Sequence, residues 1–85
     1  MNWTDEMIRV LSEQGSADPE ELSMTRELLD AGVIPESQAK RYVIRAKFWA
    51  IYKGNPDRTA RDVELELCAV YDLPLRTVQR YRSSR

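Results

Sequence analysis

Arg76, Thr77, Gln79, Arg80, Arg82, Ser83 and Arg85 all fall in the last ten residues of the 85-residue chain, RTVQRYRSSR, a stretch with no acid. A guanidinium is a planar fork of N–H donors. It can make two parallel hydrogen bonds to a carboxylate, a phosphate or a pair of acceptors on a base edge. A glutamine amide offers a donor and an acceptor side by side. Threonine and serine add small hydroxyl donors. This is a chemistry of recognition rather than of bond breaking. The spacing predicts a helix over 75–83 with Leu75, Val78 and Tyr81 turned inward. Arg76, Gln79, Arg80 and Ser83 then point outward together. Arg82 and Arg85 are expected at its side and Thr77 in its first turn.

What is missing narrows the classes. The chain contains no histidine. The commonest general base is absent, and Ser/His or Cys/His nucleophile pairs cannot be built. A zinc site loses its usual nitrogen ligands. The three glycines, Gly15, Gly32 and Gly54, stand apart and form no phosphate-cradling loop. The expectation is a protein that is not an enzyme and uses no cofactor and no metal. Cys68 is the one cysteine, so no internal disulfide can form. It is expected to be a small core residue. Unbroken apolar runs reach five residues, as at 48–52, far short of a membrane span. The opening MNWTDEM has no basic region followed by an apolar one and predicts no signal peptide. These features point to the cytoplasm.

The formal net charge is -1, yet the charges are sorted along the chain. Residues 1–35 carry eight acids and two bases, and residues 36–61 carry seven bases and two acids. Residues 62–75 hold four acids and no base, and residues 76–85 four bases and no acid. Sorting of this kind marks surfaces for partners more than it marks a fold. Four arginines exceed what complementing one helix dipole requires, although a solvated helix face has similar composition. The second basic cluster, Lys40, Arg41, Arg45 and Lys47, reads either as flanking phosphate contacts or as the solvent side of a buried helix.

The elements that must hold these residues all read as helix. Thr4 is the expected first cap, ahead of Asp5 and Glu6, with Trp3 and Ile8 as a hydrophobic staple. Gly15 ends that helix. Asp18 caps a second, Pro19 opens it, Leu22, Leu28 and Leu29 form its buried side, and Gly32 stops it. The long third helix, 35–53, has Ala39, Tyr42, Val43, Ala46, Trp49 and Ala50 at helical spacing. Ile44, Phe48 and Ile51 widen its apolar surface, which marks a central helix with Phe48 and Trp49 in the core. GNPD, 54–57, breaks it. A fourth helix follows from 59, with Thr59 and Asp62 at capping-box spacing and Val63, Leu67, Val70 and Tyr71 inward. The organisation predicted is one all-α domain, a compact bundle of about five helices: an acidic pair in 1–34, the long helix in 35–53, and a bihelical unit in 59–83.

Residues 66–81, ELCAVYDLPLRTVQRY, resemble the helix-turn-helix of small bacterial and phage transcriptional regulators. A small residue, Cys68 or Ala69, stands where the two helices meet. Leu67, Tyr71, Leu73, Val78 and Tyr81 fill the angle. Pro74 starts the second helix, and RTVQRY is similar to a recognition helix. The turn position that is often glycine is Asp72, a residue that tolerates left-handed backbone. The resemblance implies binding of double-stranded DNA, with Arg76, Thr77, Gln79, Arg80, Arg82, Ser83 and Arg85 toward the groove and its phosphates, and Lys40 and Arg41 as flanking contacts. It also implies a homodimer reading two half-sites, from a phage or other mobile element.

A 39-residue offset lays 15–42 over 54–81 with seven identities in 28 positions. It raises the expectation of two helix-turn-helix-like units sharing the long third helix. The main rival is a protein-interaction module, an inhibitor or adaptor of the phage kind, that docks a protein partner through the acidic N-terminal helices or the basic C-terminal face. RNA binding is a lesser rival, because RNA readers present stacking aromatics and Tyr52 is the one expected to be exposed.

Overall fold

The computed structural model describes residues 2–15 and 18–83. Among them the chain is all-α: α1 (Trp3–Glu13), α2 (Pro19–Asp30), α3 (Glu36–Gly54), α4 (Ala60–Tyr71) and α5 (Leu75–Ser83). It divides into two units, Met1–Val43 and Ile44–Arg85. The boundary falls within α3.

In the first unit, α1 packs on α2. The cap of α1 is Asn2, not Thr4: its side-chain oxygen accepts from Thr4 N at 2.8 Å and Asp5 N at 3.3 Å. An asparagine oxygen on a short stem meets the first free amides as well as a threonine does. Trp3 is therefore inside the helix, and a staple across Thr4 does not arise. Asp18 caps α2 through Glu21 N at 2.8 Å, with Pro19 in the first turn. At the far end Gly32, at φ 78, donates to Leu29 O at 3.1 Å while Val33 N reaches Leu28 O at 3.0 Å. This paired closure needs a left-handed residue, and glycine adopts it without a Cβ clash. Val10, Leu29, Ala39 and Val43 are buried. Leu28, expected inside, is exposed. Its carbonyl serves the closing turn, and the buried position one residue on is Leu29. Tyr42 donates its hydroxyl to Gln14 Oε1 at 3.0 Å, and burial pushes its pKa up. Arg26 of α2 pairs with Asp5 of α1 at 2.7 Å.

In the second unit, α4 packs on α5. Thr59 and Asp62 form the reciprocal box read from their spacing: Asp62 N donates to Thr59 Oγ1 at 3.1 Å and Thr59 N to Asp62 Oδ2 at 3.4 Å. Asp72 ends α4 at φ 53, ψ 52, a left-handed residue as expected at this turn. The connection to α5 is three residues, Asp72, Leu73 and Pro74, and Pro74 O accepts from Thr77 N and Val78 N at 3.0 and 3.1 Å. The buried apolar side chains are Ile44, Phe48, Val63, Leu67, Tyr71 and Val78, each contributing about 1.5–3 kcal/mol of burial. Two residues expected inside are not: Val70 is 63% exposed and Trp49 41%. On a helix that advances about 100° per residue, Trp49 lies one step off the buried Ile44–Phe48 line.

The 39-residue offset survives only in part. Pro35 O accepts from Gln38 N and Ala39 N as Pro74 O does from Thr77 N and Val78 N, and Ala39 and Val78 are both buried. The preceding helices do not keep the register. α2 and α4 have equal length, but five residues join α2 to α3 and three join α4 to α5. The first connection closes on glycine and the second on aspartate, one residue nearer the proline.

Candidate nucleic-acid interface

α5 takes its orientation from the left-handed turn at Asp72, the proline at its start, and Val78, which is fully buried. Because Val78 points inward, the opposite side of the helix is fixed. Arg76, Arg80 and Ser83 are exposed, and Gln79 and Thr77 are half-buried at the flanks. Arg76 and Gln79 are three residues apart and Arg76 and Arg80 four, so one side of α5 presents two guanidiniums and an amide edge. No ion pair to Arg76 or Arg80 occurs among the described residues. Ser83 uses its hydroxyl locally, donating to Gln79 O at 2.9 Å.

Arg82 is placed differently from the expectation. It lies two helical turns after Leu75, and seven residues return the chain to nearly the same face. Its side chain therefore runs inward. Nε stands 3.3 Å from Glu64 Oε2, and the guanidinium lies 4.8 Å from the centre of the Phe48 ring. Glu64 is 3% exposed. The two facing atoms are closed to solvent, and their alignment falls short of a hydrogen bond, so the attraction is coulombic with a cation–π contribution. Arg82 is thus a positioning residue that ties α5 to α4 over the α3 ring. Glu64 escaped the sequence reading, although it lies seven residues before the inward Tyr71, a spacing that places both on one face. Arg85 lies outside the described residues.

Lys40 and Arg41 belong to the first unit. Lys40 is half-buried, 3.6 Å from Glu36 and 5.8 Å from the centre of the Trp3 ring. Arg41 is exposed. The two units carry opposite net charge. The first unit holds nine acids against four bases, net -5, and the second nine bases against five acids, net +4.

The aromatic residues also differ from expectation. Tyr52 is exposed but has a neighbour: Trp49, also exposed, lies edge-on at 5.9 Å, and Phe48 stacks beneath Tyr52 at 5.5 Å. Cys68 is half-buried. Burial raises its thiol pKa, with the Glu64 charge adding to the rise, so it is a poor nucleophile near neutrality. No cluster of three metal-ligating side chains occurs among the described residues, and no described helix is long and apolar enough to cross a membrane. In the first unit a hollow of about 410 Å³ is lined by Asn2, Trp3, Thr4, Leu29, Ile34, Glu36 and Ala39. No protein-family model, curated protein or solved structure matches the chain.

Proposed function

We propose that the chain binds double-stranded DNA by laying α5 in the major groove, as a small cytoplasmic transcriptional regulator of phage or mobile-element type. The observation that carries this reading is the outward pair Arg76 and Arg80, without ion-pair partners among the described residues, on a unit of net charge +4. Guanidinium forks suit guanine O6 and N7, and Gln79 suits adenine N6 and N7. Thr77 and Ser83 lie nearer the phosphates. Arg85 is a further phosphate contact in this reading. A single nine-residue helix reads few base pairs. A homodimer on half-sites about 34 Å apart supplies the remaining specificity. No residue has a catalytic role in this reading.

Fluorescence anisotropy of labelled duplex DNA across a salt series tests it. Affinity falls steeply with salt, and each arginine lost in Arg76→Ala/Arg80→Ala costs about 1–3 kcal/mol and relaxes the preference for its base pair. A folded protein that ignores duplex DNA at low salt overturns the reading. The second reading, docking of a protein partner, then takes its place. It is favoured by the net charge of -5 on the first unit and by exposed Met24, Leu28 and Val33 there.

A further inference from the structure

We propose that the exposed face of α3 formed by Arg45, Trp49, Tyr52 and Lys53 is a stacking platform for single-stranded nucleic acid, separate from the groove-reading face of α5.

The geometry begins with helical spacing. Arg45, Trp49 and Lys53 succeed one another at four-residue intervals, and Tyr52 lies three residues from Trp49. All four sit on one side of α3 and all four are exposed. The adjoining side of the helix buries Ile44 and Phe48 completely or nearly so. A small protein that leaves a tryptophan 41% and a tyrosine 37% exposed, side by side, keeps apolar ring surface in water where a polar residue would serve solubility better. The rings are also held. Phe48 packs edge-on to Trp49 at 5.1 Å and stacks with Tyr52 at 5.5 Å. A firm floor of this kind limits the ordering that a stacked ligand must impose.

Charge chooses the ligand. Basic residues bracket the aromatic pair: Arg45 one turn before and Lys53 one turn after. At 1.5 Å per residue the two lie about 12 Å apart along the axis, the length of three to four stacked nucleotides at about 3.4 Å each. No acid stands on α3 after Glu36, so the platform carries no repulsion for phosphate along its own helix. Flat rings between cations match unpaired bases strung between phosphates. A duplex hides its base faces in the stack and has no use for exposed rings. A second copy of this chain is the alternative occupant, and the test separates the two.

The test uses the fluorescence of Trp49 in the full chain, with Trp3→Phe to remove the other indole. Oligothymidylate of about twelve nucleotides, within common site sizes of about 4–16, is titrated at low salt. Quenching of Trp49 is expected. Tyr52→Ala should weaken binding about tenfold, the usual scale for one lost stack. Because Tyr52 also packs on Phe48, Lys53→Glu is run alongside. Lys53 is exposed, and reversing its charge should weaken binding and reduce its salt dependence. Three outcomes overturn the proposal. The first is Trp49 fluorescence that oligothymidylate leaves unchanged. The second is affinity that both variants keep but Arg76→Ala/Arg80→Ala loses, which assigns the contact to α5. The third is a dimer in sedimentation that Tyr52→Ala dissociates, with no quenching by oligonucleotide, which assigns the face to a second copy. Duplex binding through α5 is read by the separate anisotropy experiment and stands or falls independently.

Discussion

Arg82 of α5 meets Glu64 of α4 at 3.3 Å, and through this contact a carboxylate that is 3% exposed acquires its counter-charge. Arg82→Met removes the charge and keeps most of the stem on Phe48. Losing one partner of a fully buried pair costs about 3–5 kcal/mol. The Arg82 side chain is 30% exposed, so its outer end is still hydrated and about 2–3 kcal/mol is expected here. Glu64→Gln/Arg82→Met should recover a large share of the loss. Urea unfolding of Arg82→Met, Glu64→Gln and the double variant checks this, and additive losses would contradict the coupling.

Asp72 sits at φ 53, where side chains other than those of glycine, asparagine and aspartate are strained. Asp72→Gly should leave stability unchanged or raise it slightly. Asp72→Val should lower it by about 1–2 kcal/mol. Thermal melts followed by circular dichroism decide the order of the three proteins.

Thr59→Ala removes the acceptor for Asp62 N and half of the reciprocal box. A loss of about 1 kcal/mol is expected. Hydrogen exchange should report it first at the amides of the opening turn of α4, before the rest of the helix.

Cys68 has a folded pKa above its ordinary value, because burial and then the Glu64 charge disfavour the thiolate. The folded chain therefore holds its proton more tightly than the unfolded chain does. Its contribution to stability is complete below the unfolded thiol pKa, about 8.5, and is lost as pH rises through the folded one. Cys68→Ala should flatten the alkaline limb of stability against pH. In the wild type, thiol-reactive dye should label Cys68 slowly at neutral pH and quickly in denaturant.

The helices and most of their ends, the cap of α1 excepted, were legible because they depend on neighbours in sequence. Asp18 with Pro19, Thr59 with Asp62, and Gly15, Gly32 and Asp72 at the stops each act within one turn of themselves. Leu75–Ser83 has the bounds its pattern predicts. Less was legible where a residue's role depends on what lies opposite. Arg82 looked like one more cation in a basic tail, since nothing nearby in sequence reveals that Glu64 faces it. The seven-residue steps from Leu75 to Arg82 and from Glu64 to Tyr71 hold that information in helical phase, which composition and charge do not display. The helical spacing of Trp49 with Tyr42, Ala46 and Ala50 predicts a core residue, while its position one step off the Ile44–Phe48 line carries the contrary signal. The 39-residue offset gained its score from the halves beginning at Pro35 and Pro74, while the connections before them have different lengths.

The three-residue connection through Asp72, Leu73 and Pro74 leaves α5 little slack. One residue is committed to left-handed backbone, and proline restricts the backbone on both sides of its own peptide bond. The heading of α5 is therefore settled during folding, before any partner arrives. Association through this helix needs little further loss of backbone entropy, so its heat capacity change should track the surface covered, without the extra contribution of a segment that folds on contact.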